Sequence, residues 1–431
     1  MCQPNVVFFE GTEVKVDVAG EPRWQDEPMR LVDSAQIEAA AEQLTGIVWR
    51  TPLEYSRFLG ELCGGDVYLK CENLQRTGSF KLRGAYVRLS NLSARSETDK
   101  VVAASAGNHA QGVALAASLL GMRSTVFMPQ RAPLPKLAAT KSYGAEVRQV
   151  GVVVEETLAA AQKYAADTGA EFIHPFEHPD VIAGQGTVGL EILEQLPEVR
   201  TIVVPTGGGG LVAGIAAAVK ASRPEVRIFA AQAEQAAAWP PSLAAGEPVA
   251  LENPQTMADG ISVGIPGEIT FAHVSKFVDG VLTVSEEGLS RALLLCLERA
   301  KQVVEPAGVA AVGALLENPE QVEPPVALVL SGGNIDPLLL HQLIRHGMTS
   351  AGRYLSLRVR LPDRPGVLAR MLTTLGELEV NVLDIEHSRV SGALALGEVD
   401  VEISLETRGA EHQEYVISEL ESAGFVIVAK H

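Results

Sequence analysis

Residues 77–85 read Thr-Gly-Ser-Phe-Lys-Leu-Arg-Gly-Ala, and the role of the lysine inside this stretch, Lys81, decides how the rest of the chain is read. A lysine that bonds covalently to a carbonyl must shed its proton near neutral pH. A mostly enclosed, apolar pocket promotes that by disfavouring the ammonium form. Phe80 and Leu82 supply apolar neighbours, and the residues after Lys81 run on as a helix. The same residues also describe an ordinary solvated lysine at a helix start, so its partners must be sought elsewhere in the chain.

On both sides of this stretch, short apolar runs alternate with helical spacing. Residues 101–104 and 125–128 read as buried strands, and residues 110–120, 135–143 and 155–168 as helices closed by Gly121, Gly144 and Gly169. The pattern continues with helices at 181–195, 211–221 and 288–304 and strands at 201–204, 228–230 and 326–330. This is the rhythm of parallel sheets covered on both faces, and it predicts two α/β domains with a cleft between them. A helix opens it near residue 34, capped by Asp33 or Ser34, with Ile37, Ala40, Ala41 and Leu44 at helical spacing. Thr51, Pro52 and Leu53 break that helix. Residues 1–30 show no sustained period and read as an extension outside the core, with Met29 as a second candidate start.

After about residue 353 the pattern changes. Leu355, Leu357, Val359 and Leu361 alternate with polar residues, as a half-exposed strand does. Asp363, Arg364, Pro365 and Gly366 form a turn, and Leu368, Met371, Leu372 and Leu375 return at helical spacing. A strand follows Asn381, another holds Val399, Val401, Ile403 and Leu405, and a helix at 412–422 leads to a last strand at 425–428. The order βαββαβ is ferredoxin-like.

Composition removes other classes. The chain has 431 residues, 47% hydrophobic and 20% charged, which is globular and long enough for two or three domains. Acidic residues outnumber basic ones 53 to 35, a net charge of −18, which argues against nucleic acid or an anionic membrane as partner. Cys2, Cys63, Cys71 and Cys296 form no C-x-x-C pair, so neither a disulfide framework nor a zinc site is indicated and a reducing cytoplasm is expected. Glu10, Glu13 and Asp17 stand where a signal peptide needs a basic start, and no apolar run reaches membrane-spanning length.

Three loops supply partners for Lys81. Gly207, Gly208, Gly209 and Gly210 separate a strand from a helix; such a loop lets backbone N–H groups converge on a phosphate, and the same glycines also suit a tight turn. No lysine follows them, so this is not a Walker site. Ser105, Ala106, Gly107, Asn108 and His109 occupy the corresponding place after another strand, where exposed N–H groups suit a carboxylate and the Asn108 amide suits a planar group. His109 is a candidate base, although a lone histidine in a first helical turn is more often structural. Ser331 follows the last strand, where a hydroxyl points into the usual ligand crevice or merely caps.

Together these segments resemble the fold-type II pyridoxal-phosphate enzymes, and within them the threonine dehydratases, also called threonine ammonia-lyases. The resemblance covers residues 31–340 and rests on SFKLRGA at 79–85, SAGNHAQG at 105–112, AGQGT at 183–187, GGGGL at 207–211, EPAG at 305–308 and SGGN at 331–334. The part with DRPGVL at 363–368 and Asn381 resembles an ACT domain. The resemblance implies a catalytic domain at 31–349, with a smaller subdomain at about 71–178, followed by an ACT regulatory domain at 353–431.

The resemblance makes Lys81 the Schiff-base lysine and the base at Cα, with Phe80 packing on the cofactor, Gly207 to Gly210 and Leu211 holding its phosphate, Asn108 meeting the ring hydroxyl and Ser331 the ring nitrogen. The Ser105 to His109 loop takes the substrate carboxylate. It further implies conversion of L-threonine to 2-oxobutanoate and ammonia, with serine as a poorer substrate; a serine or 3-hydroxyaspartate dehydratase or racemase of the same fold and a non-catalytic amino-acid sensor stand as alternatives. Similar racemases carry a second serine where this chain has Ala106, and similar metal-binding relatives have acidic residues at the positions of Gln232 and Ala238, so elimination without a divalent metal is expected. In the C-terminal part, Asp363, Gly366, Val367 and Asn381 are expected to bind an isoleucine or valine effector, in a homo-oligomer.

Overall fold

The computed structural model describes residues 31–95, 98–389 and 394–430, together with the backbone of an antiparallel strand pair, Val6–Phe9 and Thr12–Lys15. The remainder of the expected 1–30 extension, Met29 included, lies outside the described residues. No described helix is long and apolar enough to cross a membrane.

Two sheets of mainly parallel strands carry the described residues from 31 to about 350. In the larger, the order is Gly280–Val284, Arg227–Ala233, Thr201–Pro205, Val326–Val329, Val67–Lys70 and Leu53–Tyr55, parallel except for the last strand. The smaller runs Glu146–Gln149, Arg123–Met128, Lys100–Ala104 and Glu171–Phe172, all parallel. Helices cover both faces of a parallel sheet, so the central strands Thr201–Pro205 and Val326–Val329 are buried throughout and read as unbroken apolar runs. Each fully buried Val, Leu or Ile side chain contributes about 1.5–3 kcal/mol.

Three adjacent strands of the larger sheet, Thr201–Pro205, Val326–Val329 and Val67–Lys70, end at the same edge. Their carboxyl ends release the glycine run, the Ser331 segment and the segment that leads to Lys81. Ligands bind parallel sheets at that edge.

Two expectations need correction. Leu53–Tyr55 is an edge strand, not part of a break; three residues are too few to show a period, and pairing with Val67–Lys70 holds them extended. The helix expected at 288–304 is α-helical only over Glu286–Leu295, widens into a π turn at Cys296–Ala300 and stops at Lys301, which takes φ +59°. The apolar spacing runs on through Val304, but Gln302 Nε2 donates to Glu54 (3.1 Å), its Oε1 accepts from Asn73 (2.9 Å), and these ties turn the chain away.

A buried charge cluster fixes the helix Lys81–Ala94. Arg83 grips Glu72 with two hydrogen bonds of 2.8 and 2.9 Å and reaches Glu191 at 2.7 Å. Lys70 donates to Glu191 (2.5 Å), Gln195 (2.8 Å) and Thr51 O (2.9 Å). Two cations face two carboxylates, so the desolvation cost of each ion is met by its partners; removing one would leave a charge stranded, at a cost of about 3–5 kcal/mol. The helix Pro179–Gln195 crosses close by, because a Cβ on Gly184 would lie 2.6 Å from the Cα of Gly84.

The C-terminal region is a four-stranded antiparallel sheet ordered Asn381–Ser388, Glu398–Glu406, Tyr354–Pro362, Val426–Lys430, with the helices Val367–Glu377 and Ala410–Ser422 between strands as the ferredoxin-like order requires. Leu357, Val359, Met371, Leu375, Val401, Ile403, Val416 and Leu420 form its core.

Candidate active site

Lys81 is the first residue of its helix, with Phe80 at the cap. Its ammonium lies 5.0 Å from the Phe80 ring centroid and donates to Pro175 O at 3.0 Å. Enclosure by protein pulls its pKa down to about 8, against an opposing pull from the Glu305 carboxylate. Neutral lysine is therefore well populated near physiological pH. The preceding residues are pinned to the Ser331 segment: Phe80 N donates to Ser331 O (3.2 Å), and Ser79 bridges Gly332. Ser79 Oγ is buried and has no hydrogen-bond partner among the described residues.

The four-glycine run is packed too closely for side chains. Gly209 caps the helix Gly210–Ser222 with φ +94°, a conformation costly for any other residue. A Cβ on Gly208 would come within 2.3 Å of the Phe176 ring, and one on Gly209 within 2.4 Å of Trp239. Trp239 Nε1 donates to Gly207 O at 2.8 Å and holds the loop from outside. The first N–H groups of the helix have no partner inside it, which leaves Gly210 and Leu211 at a buried, electropositive helix start.

Asn108 begins the helix Asn108–Leu119. Its Nδ2 donates to Glu305 Oε1 at 2.5 Å, and its Oδ1 accepts from Asn334 Nδ2 at 2.8 Å. Ser105 Oγ accepts from Gly107 N (3.1 Å), shaping the loop through Ala106. Lys136, paired with Asp259 at 3.0 Å, lies beside Gly107. Ser331 is 5% exposed, and its hydroxyl makes no hydrogen bond among the described residues.

His109 contributes no free side chain. Its Nε2 lies 2.8 Å from Ile173 O, and burial, reinforced by the Lys81 charge, lowers its pKa to about 3. The ring is neutral, and because a carbonyl only accepts, Nε2 carries the proton. Its Nε2–H is spent on that carbonyl and a pKa of about 3 makes Nδ1 a poor base near neutral pH, so the ring is not the catalytic base. Gln232 is likewise committed: its Oε1 accepts from Trp239 N (3.0 Å) and its Nε2 donates to Ala236 O (3.4 Å).

Sequence reading assigned no role to Glu305, Asn334, Pro175, Phe176 or Trp239. Glu305 did leave a signal, as a lone acid in the apolar stretch 303–316.

In the C-terminal region, Asp363 receives both arms of Arg389 at 2.9 and 3.2 Å rather than standing open. It borders a cleft of about 310 Å³ with Gly366, Leu368, His387 and Arg389. Val367 begins the adjoining helix. Asn381 is not brought to this cleft. It pairs with Glu406 at the opposite end of its strand, about 23 Å from Ser388 at about 3.3 Å per residue.

A lysine whose pKa is pulled down to about 8, a glycine-lined helix start, and an amide and a free hydroxyl at separate strand ends suit a phosphorylated aldehyde cofactor carried on a lysine. The helix start after the glycines has N–H groups without partners inside the helix, and Lys81 and Ser331 have polar atoms to spare, so the residues present fit that group. Residues 44–332 match the pyridoxal-phosphate dependent enzyme family and residues 355–414 match the ACT domain. The chain belongs to the pyridoxal-phosphate dependent enzymes. It is 43% identical to an L-threonine ammonia-lyase of Thermotoga maritima, over 92% of this chain and 99% of that one. Among solved structures, the threonine deaminase of T.th. is similar with a TM-score of 0.67 and 43% identity, covering 70% of this chain and 99% of that chain. Maize serine racemase is similar with a TM-score of 0.69 and 34% identity, over 74% of this chain and 99% of that chain.

Proposed function

We propose that the protein is a pyridoxal-phosphate dependent ammonia-lyase that converts L-threonine to 2-oxobutanoate and ammonia. The observation that carries this reading is Lys81 itself, enclosed by protein, lowered to a pKa of about 8 and tied through the Phe80 N to Ser331 O hydrogen bond to the strand end that carries Ser331. Bound pyridoxal phosphate supplies the electron sink that makes the substrate Cα–H acidic. Lys81 would hold the cofactor and its amine would take the substrate Cα proton. Gly207 to Gly210 and Leu211 fix the phosphate, Asn108 the ring hydroxyl and Ser331 the ring nitrogen. A serine hydroxyl there, unlike a carboxylate, would not favour a proton on that nitrogen, which would favour elimination of the β-substituent. The N–H groups of the Ser105 to His109 loop receive the substrate carboxylate.

Ala106 presents no protonatable group, which favours elimination over racemisation. A panel of L-threonine, L-serine and 3-hydroxyaspartate, read by 2-oxo acid formation and by optical rotation of recovered substrate, tests both points. L-threonine is expected to turn over best; faster racemisation than 2-oxo acid release would overturn the reading.

The domain limits proposed are a catalytic domain at 31–349 and a regulatory domain at 353–431. The latter binds a small aliphatic amino acid, isoleucine or valine, at the cleft bordered by Asp363 and Gly366, with Asn381 completing the site across a paired chain in a homo-oligomer. The protein is proposed to act in the cytoplasm, in isoleucine biosynthesis. Calorimetry with isoleucine and valine on the intact chain tests the effector: no binding and no change in threonine kinetics would remove it.

A further inference from the structure

Glu305 is the buried acid of the cage for which the reading above has no use. Its carboxylate is 3% exposed and enters a space kept clear by glycines: a Cβ on Gly332 would lie 2.2 Å from Glu305 Oε1 and 2.9 Å from Asn108 Nδ2. Glu305 N donates to Gly332 O at 3.0 Å, so the acid and the Ser331 segment are fixed to each other.

The amide orientations in this cluster follow from one backbone carbonyl. Thr77 O can only accept, so the atom of Asn334 that meets it at 2.7 Å is Nδ2. The same Nδ2 faces Asn108 at 2.8 Å, which therefore presents Oδ1 to it. Asn108 must then turn Nδ2 toward Glu305, where the separation is 2.5 Å. One Nδ2 proton is spent on Glu305 and the second remains. Without Glu305 the amide is anchored through Oδ1 alone and Nδ2 loses the acceptor that fixes its position.

We propose that Glu305 is a positioning residue for the reaction: with Asn334 it locks the Asn108 amide in one orientation, so that the remaining Nδ2 proton is always the group offered to the cofactor ring. This rests on the cofactor assignment above. Burial, opposed by Lys136, Asn108 and Lys81 and reinforced by Asp259, raises the Glu305 pKa to about 7. The three charged side chains among these, from the helix of Lys81, the helix Leu134–Ser142 and the turn at Asp259, are the ones that face it. The carboxyl therefore changes charge near neutrality, and the strength of its grip on Asn108 changes with it.

The test compares wild type with Glu305→Gln, Glu305→Ala and Asn334→Ala, each loaded with pyridoxal phosphate, by absorbance spectrum against pH and by kcat and KM for threonine. Glu305→Gln keeps an acceptor for Asn108 but cannot titrate, so it is expected to hold the wild-type wavelength and lose the spectral step near pH 7. Glu305→Ala and Asn334→Ala each remove one of the amide's two anchors, so both are expected to displace the absorbance band and lower kcat by about tenfold or more, with a smaller change in KM. Should Glu305→Ala fail to fold, the near-isosteric Glu305→Gln and the Asn334→Ala variant still decide. Wild-type spectra and pH profiles in those two overturn the inference, even if thermal stability has fallen. A wild-type protein with no cofactor band overturns the cofactor assignment and this inference together.

Discussion

Gly209 and Gly366, both in the left-handed αL conformation, each open a described helix, and their surroundings are opposite. Gly209, at φ +94°, opens Gly210–Ser222, and Gly366, at φ +89°, opens Val367–Glu377. Each turn offers free N–H groups to an anion. A Cβ on Gly209 would strike Trp239, whereas one on Gly366 would meet nothing within 4 Å. Buried donors in a low-dielectric, fixed setting hold an anion strongly and bear no reorganisation cost, while exposed donors are screened by water and salt. The first arrangement suits a resident cofactor, the second an effector that exchanges.

The largest expected effect lies on the buried side. Lys81→Ala should lose the absorbance at about 410 nm from the lysine-bound cofactor and cut turnover more than about a thousandfold, some 4 kcal/mol of transition-state stabilisation. Retained turnover above that level would place the base on another residue.

Gly209→Ala and Gly366→Ala compare the turns directly. The left-handed penalty of about 1–2 kcal/mol applies to both, and overpacking against Trp239 adds about 1–3 kcal/mol to the first only. Urea midpoints should fall much further for Gly209→Ala. Equal losses would erase the distinction between the two sites.

A pH series sharpens it further. Lys81 binds its proton less tightly in the folded protein than in the unfolded chain, so its burial costs the cofactor-free protein stability below about pH 8, and this cost is relieved as pH rises toward the ordinary lysine range. Only neutral lysine bonds the aldehyde, so the rate of cofactor rebinding should climb through about pH 8 and then level off. A rate that is flat from pH 6.5 to 9.5, roughly 1.5 units on either side of that value, would show that Lys81 is not held as described.

The smallest expected effect lies on the exposed side. The Arg389 pair lowers the Asp363 pKa, but both groups stand in solvent. Arg389→Ala should therefore leave the urea midpoint where it is and alter only the concentration of isoleucine or valine that affects kinetics. A drop in midpoint comparable to that of Gly209→Ala would show the cleft to be structural.

Much of the fold was legible because its signals are local. Asp33 does cap its helix, accepting from Gln36 N at 3.0 Å, and Gly169 closes another in the left-handed region. The buried strands announce themselves as apolar runs, and the glycine run marks its own turn. The helix expected to continue to residue 304 failed because nothing near Lys301 in sequence requires a stop; the stop is imposed by Asn73 and Glu54, more than 200 residues away. Asn381 could be recognised as a polar residue opening a strand, but its distance from Asp363 depends on strand register.

The sequence by itself therefore determined the elements, their order and the loops that bear chemistry, since periodicity, capping and glycine conformation act within a few residues. The tertiary structure alone decided which loops meet, because the meeting depends on which strands lie side by side. Asn108, Glu305 and Asn334 are separated by 197 and 226 residues of chain relative to Asn108, yet they share hydrogen bonds of 2.5 and 2.8 Å. Burial at that meeting point is what lowers Lys81 and raises Glu305 toward neutrality, since the cost of a charge depends on the water excluded around it and not on its neighbours in sequence.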